Sequence, residues 1–364
     1  MTELSIIVPT FNERGNVEEL ARRLTVVLSH VAWEVIFVDD NSPDGTAETV
    51  RQLAQKDPHV RCLQRVGRRG LSSACIEGML ATSSPYLAVM DADLQHDEAL
   101  LSSMLVELRN GAVDIVVGSR YTAGGSLGNW SSSRAFISRA AGRLSQAIIG
   151  AELRDPMSGF FMVRREIFHQ SLPRLSAIGF KILVDVFASS PQPLRFIELP
   201  FHFRMRHAGE SKLDSHVALD YLLLLLDKLI GHVIPVRFIA FSAVGAAGVI
   251  LHMALLGVLF KGFQLPFGPS QAIATIITMT FNFFLNNTLT YRDRRLRSWR
   301  LLWGWLSFNA ACGIGALANV GIASYLFFST AQSWVVSALA GIIVGAVWNY
   351  SVTAIYTWNP PRQA

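Results

Sequence analysis

The run Leu87-Ala88-Val89-Met90-Asp91-Ala92-Asp93-Leu94-Gln95 passes from unbroken apolar residues to two carboxylates and an amide at alternate positions. A short apolar run of this kind reads as a buried strand. In an extended chain, side chains two apart point to the same side. Asp91, Asp93 and Gln95 are therefore expected to converge as hard oxygen ligands just past the strand. Such a set suits Mg2+ or Mn2+, and these ions commonly hold phosphates. Acidic residues at strand ends are also ordinary turn formers, so the meaning of the trio depends on the rest of the chain.

The flanking sequence alternates. Leu4–Val8, Trp33–Val38, Val60–Gln64, Tyr86–Met90 and Asp114–Gly118 read as strands, and Asn16–Ser29, Asp44–Lys56, Leu71–Ala81 and Glu98–Arg109 as helices. This order predicts an α/β domain with a mostly parallel sheet covered on both faces. Ligands of such sheets bind beyond the carboxyl ends of the strands. Pro9–Glu13, Asp39–Ser42, Asp91–Gln95 and Gly118–Tyr121 all fall there, which favours a functional trio over a bare turn. A carboxylate at Glu13 or Asp40 can accept hydrogen bonds from a base or a ribose, whereas helix capping explains Ser42 and Asp44. Arg65, Arg68, Arg69, Arg120, Arg134, Arg206 and Lys212 are the basic candidates for phosphate contacts. Arg120 is well placed because it follows the strand Asp114–Gly118. Arg206 and Lys212 flank Gly209, and a glycine-hinged basic loop suits closure over a phosphate. His96, His202 and His207 read as surface or packing residues.

Composition adds a second domain. Of the 364 residues, 51% are hydrophobic and 16% charged, against about 25% charged in soluble domains. The apolar excess lies after residue 230. Four stretches, near 238–260, 268–291, 303–328 and 334–357, are each long enough to cross a bilayer core of roughly 30 Å. The connection Arg292-Asp293-Arg294-Arg295-Leu296-Arg297-Ser298-Trp299-Arg300 is expected in the cytoplasm by the positive-inside rule. An even number of spans puts both termini there too. Part of the net charge of +5 is this loop, so charge does not point to nucleic acid. Met1–Val8 lacks the basic and long apolar regions of a cleaved leader. Cys62, Cys75 and Cys312 are scattered and suggest neither disulfides nor a zinc site.

Two further patterns stand out. His216–His232 is too short and too charged to span, and reads as an interfacial helix that brings the first domain to the bilayer, with a core helix as the alternative. Phe281-Asn282-Phe283 and Thr290-Tyr291 are echoed by Trp348-Asn349-Tyr350 and Thr357-Trp358, 67 positions on (348 − 281), which suggests two copies of a two-span unit.

Six segments occur in order: Val8–Glu13, Val38–Thr46, Met90–His96, Gly118–Tyr121, Asp155-Pro156-Met157-Ser158-Gly159-Phe160 and Arg206–Leu213. Together they resemble the family-2 inverting glycosyltransferases of the GT-A fold, most of all the polyprenol-phosphate (dolichol-phosphate) mannose synthase group, over residues 3–215. The membrane part resembles the GtrA-like four-span domain. The resemblance implies a cytoplasmic α/β GT-A glycosyltransferase domain over 1–214, a juxtamembrane interfacial helix over 215–233, and an all-α membrane domain with four transmembrane helices over 234–358.

It also implies roles. Pro9, Phe11, Glu13, Val38, Asp40, Asp91, Ala92 and Asp93 would bind the nucleotide sugar, with Arg206 and Lys212 over its phosphates. Asp91, Asp93 and Gln95 would hold Mg2+ or Mn2+ on the diphosphate. Arg120, Arg134 and Ser138 would receive the acceptor phosphate, and Asp93, Arg120 and Arg134 would form the catalytic set. One departure is Gly70-Leu71-Ser72-Ser73-Ala74, where Ser72 stands in place of a family glycine.

The implied activity is transfer of mannose from GDP-mannose to a dolichyl or undecaprenyl phosphate, with inversion, by a multi-pass membrane enzyme. UDP-glucose is the alternative donor, and translocation of lipid-linked sugar an alternative main role for the membrane domain. Homo-oligomerisation is left open. A processive polysaccharide synthase is disfavoured because no Gln-x-x-Arg-Trp motif follows the first domain. A phosphate acceptor is already anionic at pH 7, so no dedicated general base is expected.

Overall fold

The computed structural model describes residues 2–126, 142–146, 148–176, 179–204, 221, 223–228, 231, 234–329 and 334–358. The strand Leu4–Thr10 (β1) shows why the strands read as continuous apolar runs. Leu4, Ile6 and Val8 enter one core and Ile7 enters another. Both faces of the sheet are covered, so both sets of alternate positions are mostly apolar, and the buried exception, Ser5, is hydrogen-bonded to Glu34.

In order, the first unit contains β1, Arg14–Val27 (α1), Trp33–Asp39 (β2), Thr46–Ala54 (α2), Val60–Gln64 (β3), Leu71–Leu80 (α3), Tyr86–Val89 (β4), Leu100–Arg109 (α4), Ile115–Ser119 (β5), Phe161–Arg164 (β6), Arg165–Ser171 (α5), Ile182–Ser189 (α6) and Phe196–Pro200 (β7). The sheet order is β3-β2-β1-β4-β6-β5-β7. All pairings are parallel except those of β6, which runs antiparallel to β4 and β5. Val17, Leu20 and Leu24 of α1 and Leu101, Leu105 and Leu108 of α4 bury one face. Ala74, Cys75 and Met79 of α3 and Leu183 and Val186 of α6 bury the other. Helix α3 lies close on the sheet because Gly78 has no side chain: a Cβ there would sit 2.6 Å from Ile7 and 2.8 Å from Val38.

The chain divides into two units, Met1–His232 and Val233–Ala364. The described residues of the expected interfacial helix pack in the first unit. Tyr221, Leu224 and Leu225 are buried with Val184. Lys228 Nζ lies 2.6 Å from Asp185, and both are almost wholly buried.

The second unit contains Val236–Gly257 (α7), Phe267–Leu285 (α8), Trp299–Ser329 (α9) and Trp334–Val352 (α10). Three helices among the described residues are long and apolar enough to cross a membrane: Val236–Gly262, Phe267–Thr290 and Trp299–Ala318. The echo in the sequence is an echo in structure. Helices α8 and α10 each run into a π turn, Asn286–Thr290 and Thr353–Thr357, at the same 67-residue offset (353 − 286). The space a Cβ would need at Gly248 is filled by the Asn282 amide, and at Gly315 by the Asn349 amide. These contacts are again 67 apart (315 − 248 and 349 − 282). Neither Asn282 Oδ1 nor Asn349 Oδ1 has a hydrogen-bond donor among the described residues. The repeat-related pair Tyr291 and Trp358 stack with centroids 4.1 Å apart.

Candidate active site

The strand ends expected to carry the chemistry come together at one edge of the sheet, on neighbouring strands β2, β1 and β4 and on β5 beyond β6. The first two loops are tied to each other. Asn12, at φ 59°, donates its N–H to Ser42 Oγ at 3.0 Å, and Glu13 donates its N–H to Thr46 Oγ1 at 3.0 Å. Asp39 receives Ser42 N–H and Thr10 Oγ1, which closes the turn after β2. Phe11 projects from the end of β1, and the Arg69 guanidinium lies over its ring at 4.3 Å.

Asp40 is buried and fully engaged. Its carboxylate accepts from Arg65 Nη1 at 2.6 Å and from Gly70 N–H at 2.7 Å. Burial pushes its pKa above the usual carboxylate range, against the pull of those two donors. Arg65 is 1% exposed and also meets Glu77 and Ser73. This corrects its reading as a phosphate contact: its charge is spent inside the domain, holding the loop before α3. Arg68 is likewise paired with Glu77. Gly70 enters α3 at φ 142°, a left-handed conformation that favours glycine. Ser72 is completely buried, with no partner for its hydroxyl among the described residues.

At the end of β4 the alternation expected from the sequence does not hold. The strand stops at Val89, the chain turns, and Leu94 takes φ 62°. A turn, not an extended run, carries Asp91, Asp93 and Gln95. Asp91 N–H donates to His96 Nδ1 at 3.1 Å, Gln95 N–H donates to Asp93 Oδ1 at 3.2 Å, and Gln95 Nε2 donates to the Arg204 carbonyl at 3.0 Å. His96 is buried, stacked on Phe160 and edge-on to Phe201 and Phe203. Burial holds its pKa down to about 4, so the ring is neutral at pH 7 and can accept the Asp91 N–H. It is a packing residue that shapes the acidic turn. Gly159 closes the other side: a Cβ there would stand 3.2 Å from Asp91 Oδ2.

Arg120 follows β5 as expected, but it is buried in a bidentate ion pair. Its Nε and Nη2 lie 2.8 and 2.7 Å from the two oxygens of Asp155. Asp155 also accepts the Arg120 N–H, and Glu198 holds the Arg154 and Asp155 N–H groups. The segment Asp155–Phe160 thus links β5, through Arg120, to the acidic turn, through Gly159. The sequence flagged the segment but assigned Asp155 no part. Its partner is 35 residues away, and only the fold brings the two together. Pro9, Val38 and Ala92 line the same edge as backbone or apolar positions. Arg134, Ser138, Arg206 and Lys212 lie outside the described residues.

The acidic turn suits a hard divalent cation. Among the described residues no three His, Cys, Asp or Glu side chains converge, so there is no closed all-protein cage. Mg2+ is characteristically held by one or two carboxylates and completed by phosphate oxygens. The Asp91 side chain is 39% exposed, while Asp93 is buried.

Residues 5–172 match Glycosyl transferase family 2, and residues 240–358 match the GtrA/DPMS transmembrane domain. The chain is 34% identical over 361 residues to a dolichol-phosphate mannosyltransferase of Pyrococcus furiosus, covering 98% of this chain and 99% of that one. It is 39% identical to a dolichol-phosphate mannosyltransferase of Mycosarcoma maydis over 60% of this chain and 76% of that one. Among solved structures, the glucosyl-3-phosphoglycerate synthase of Mycobacterium tuberculosis overlays with a TM-score of 0.48 at 16% identity, over 62% of this chain and 80% of that one. An end-to-end likeness that takes in both units, joined to an acidic turn on a mostly parallel sheet, makes the chain a member of the dolichol-phosphate mannosyltransferase family, built from a family-2 glycosyltransferase domain and a GtrA/DPMS membrane domain.

Proposed function

We propose that this protein transfers mannose from GDP-mannose to a polyprenyl phosphate, with inversion, at the cytoplasmic face of a membrane. The observation that carries this reading is the 34% identity to the Pyrococcus furiosus relative along 98% of the chain. Asp91, Asp93 and Gln95 would hold Mg2+ or Mn2+, which supplies charge stabilisation to the departing diphosphate. Phe11, Glu13 and Asp40 would serve the nucleotide. Asp40 acts there through the Gly70 loop that it and Arg65 hold.

The acceptor brings its own negative charge, so the protein's task is to bind and orient it. Arg134 and Ser138 are the direct phosphate contacts in this reading. Arg120, neutralised in place by Asp155, positions the acceptor side of the pocket as part of a fixed ion pair. No general base is required.

The test is transfer of label into extracted lipid. The full chain is incubated with Mg2+ or Mn2+, a polyprenyl phosphate and a panel of labelled nucleotide sugars. Labelled lipid from GDP-mannose supports the proposal. Transfer from UDP-sugars alone would reject the donor, and no transfer from any donor would reject the enzyme reading.

A further inference from the structure

The second unit holds a basic hollow that the transferase chemistry does not use. Arg295, Arg297, Ser298, Thr288, Asn287 and Phe284 line a space of about 340 Å3 where α8 ends and α9 begins. That volume lies at the lower end of small-molecule pockets, about 300–1,000 Å3. Arginines on this connection would satisfy the positive-inside rule in any arrangement, since that rule needs charge and no fixed geometry. Here the geometry is fixed.

Asn287 is buried inside the unit and grips the loop by its backbone. Its Nδ2 donates to the Leu296 carbonyl at 3.2 Å, and its Oδ1 accepts the Leu296 N–H at 2.8 Å. Trp358 Nε1 donates to the same Oδ1 at 3.1 Å and holds the amide in turn. Leu296 packs against the aromatic cluster of Phe283, Phe308 and Trp358. With Leu296 pinned inward, Arg295 and Arg297 flank it on the outer side, and both are exposed. Among the described residues neither forms an ion pair or a hydrogen bond. Ser298, at φ 51°, then turns the chain into the 31-residue helix α9, whose first N–H groups add to the positive field.

Around the hollow the surface is that of a membrane interface. Trp299 and Trp303 are 67% and 59% exposed and Phe284 is 46% exposed, as in the aromatic belts at headgroup depth. A ligand here combines an anionic head for two exposed guanidinium groups on a held backbone with an apolar tail for the exposed aromatics.

We propose that this hollow is a second lipid-phosphate site, separate from the acceptor site of the first unit, and that it takes a lipid phosphate monoester. Two arginine forks match the three terminal oxygens of a monoester, each fork engaging two of them. A diester has only two non-bridging oxygens and one negative charge. The site therefore prefers a polyprenyl phosphate to its glycosylated product, which is a diester. It holds acceptor beside the enzyme and releases product. The proposal rests on the reading that the acceptor is a polyprenyl phosphate.

The test is a titration of the full chain, in discs of neutral phosphatidylcholine, with farnesyl phosphate. We expect a binding event in the native chain whose affinity falls on the order of tenfold or more in R295Q/R297Q through loss of two charge-assisted contacts. The R295K/R297K variant keeps the charge and should retain the event at reduced affinity, which separates loss of the site from loss of the fold. With saturating acceptor, kcat and the KM for the donor should match native in both variants. Equal binding by native and R295Q/R297Q would overturn the proposal. So would displacement of the event at equal concentration by phosphatidylglycerol, which would mark a diester site, or by inorganic phosphate, which would mark a site indifferent to the lipid. Failure of the transferase reading would appear separately, as absent lipid labelling by the native chain.

Discussion

Arg120 and Asp155 meet through two hydrogen bonds of 2.8 and 2.7 Å in a site closed to solvent. Removing one partner strands the other as a buried charge, which costs about 3–5 kcal/mol. D155A is expected to lose that much stability in urea unfolding of the first unit. A well-packed apolar pair, R120M/D155L, should recover most of it. If the pair also positions the acceptor, the apolar double variant will fold yet show a raised KM for polyprenyl phosphate.

The acidic turn makes a sharper demand. D93N and D91N each remove a charge from the cation's proposed ligands, and each should lower kcat on the order of 100-fold or more. Excess chelator should abolish transfer by the native enzyme, and Mg2+ or Mn2+ should restore it. Transfer that survives chelation undiminished would show that the turn serves another purpose.

Stability should respond to acid through Glu34. Burial works against its charge, but hydrogen bonds from Arg61 at 2.8 Å, Ser5 at 2.7 Å and Thr82 at 2.6 Å outweigh it and hold the pKa below its ordinary value of 4.5. In the unfolded chain the group takes its proton at the higher, ordinary value. Its contribution is therefore complete above pH 4.5 and is lost as pH falls through the lower folded value. E34Q should be less stable than native at pH 7, and its stability should fall less steeply in acid. Denaturation curves from pH 3 to 7 would read both effects.

Ser72 carries a buried hydroxyl with no partner among the described residues. Such a group costs about 1–3 kcal/mol in lost hydration. S72A removes it at a helical position and should raise stability by about 1 kcal/mol. S72G forfeits roughly that much helix propensity and should be close to neutral. Thermal unfolding of the two variants distinguishes the terms.

In the membrane unit, G315A drives a methyl group into the Asn349 amide. Overpacking of this kind costs about 1–3 kcal/mol. The double variant G315A/N349A should recover stability, because the smaller side chain returns the space. G248A and G248A/N282A should repeat the pattern if the two halves are built alike, as melting in detergent would report.

The five strands read from the apolar runs are present within a residue or two, because all but β3 are buried on both faces and so must be mostly apolar. Strand β6 was not legible. Phe161–Arg164 has only four residues, and its antiparallel placement between β4 and β5 is a property of the sheet. At the site, residue types and their sheet edge were legible, but pairing was not. Arg65 and Arg120 looked alike as basic candidates. Their partners Asp40 and Asp155 stand 25 and 35 positions away, and nothing local to either arginine announces them. The extended reading of Asp91–Gln95 failed because periodicity has no term for the hydrogen bond to His96 that ends the strand early.

The 67-residue repeat has a consequence for symmetry. A chain that carries one two-helix unit twice has folded a dimer-like interface into itself, with Tyr291 and Trp358 stacked as equivalent positions of the two halves. Two identical protomers would carry every surface loop in duplicate. Covalent fusion breaks that rule, since the connection from the first half to the second occurs once. The arginine loop gripped by Asn287 is that connection. Each transferase domain is thereby furnished with one such loop, whatever the concentration of the protein in its membrane.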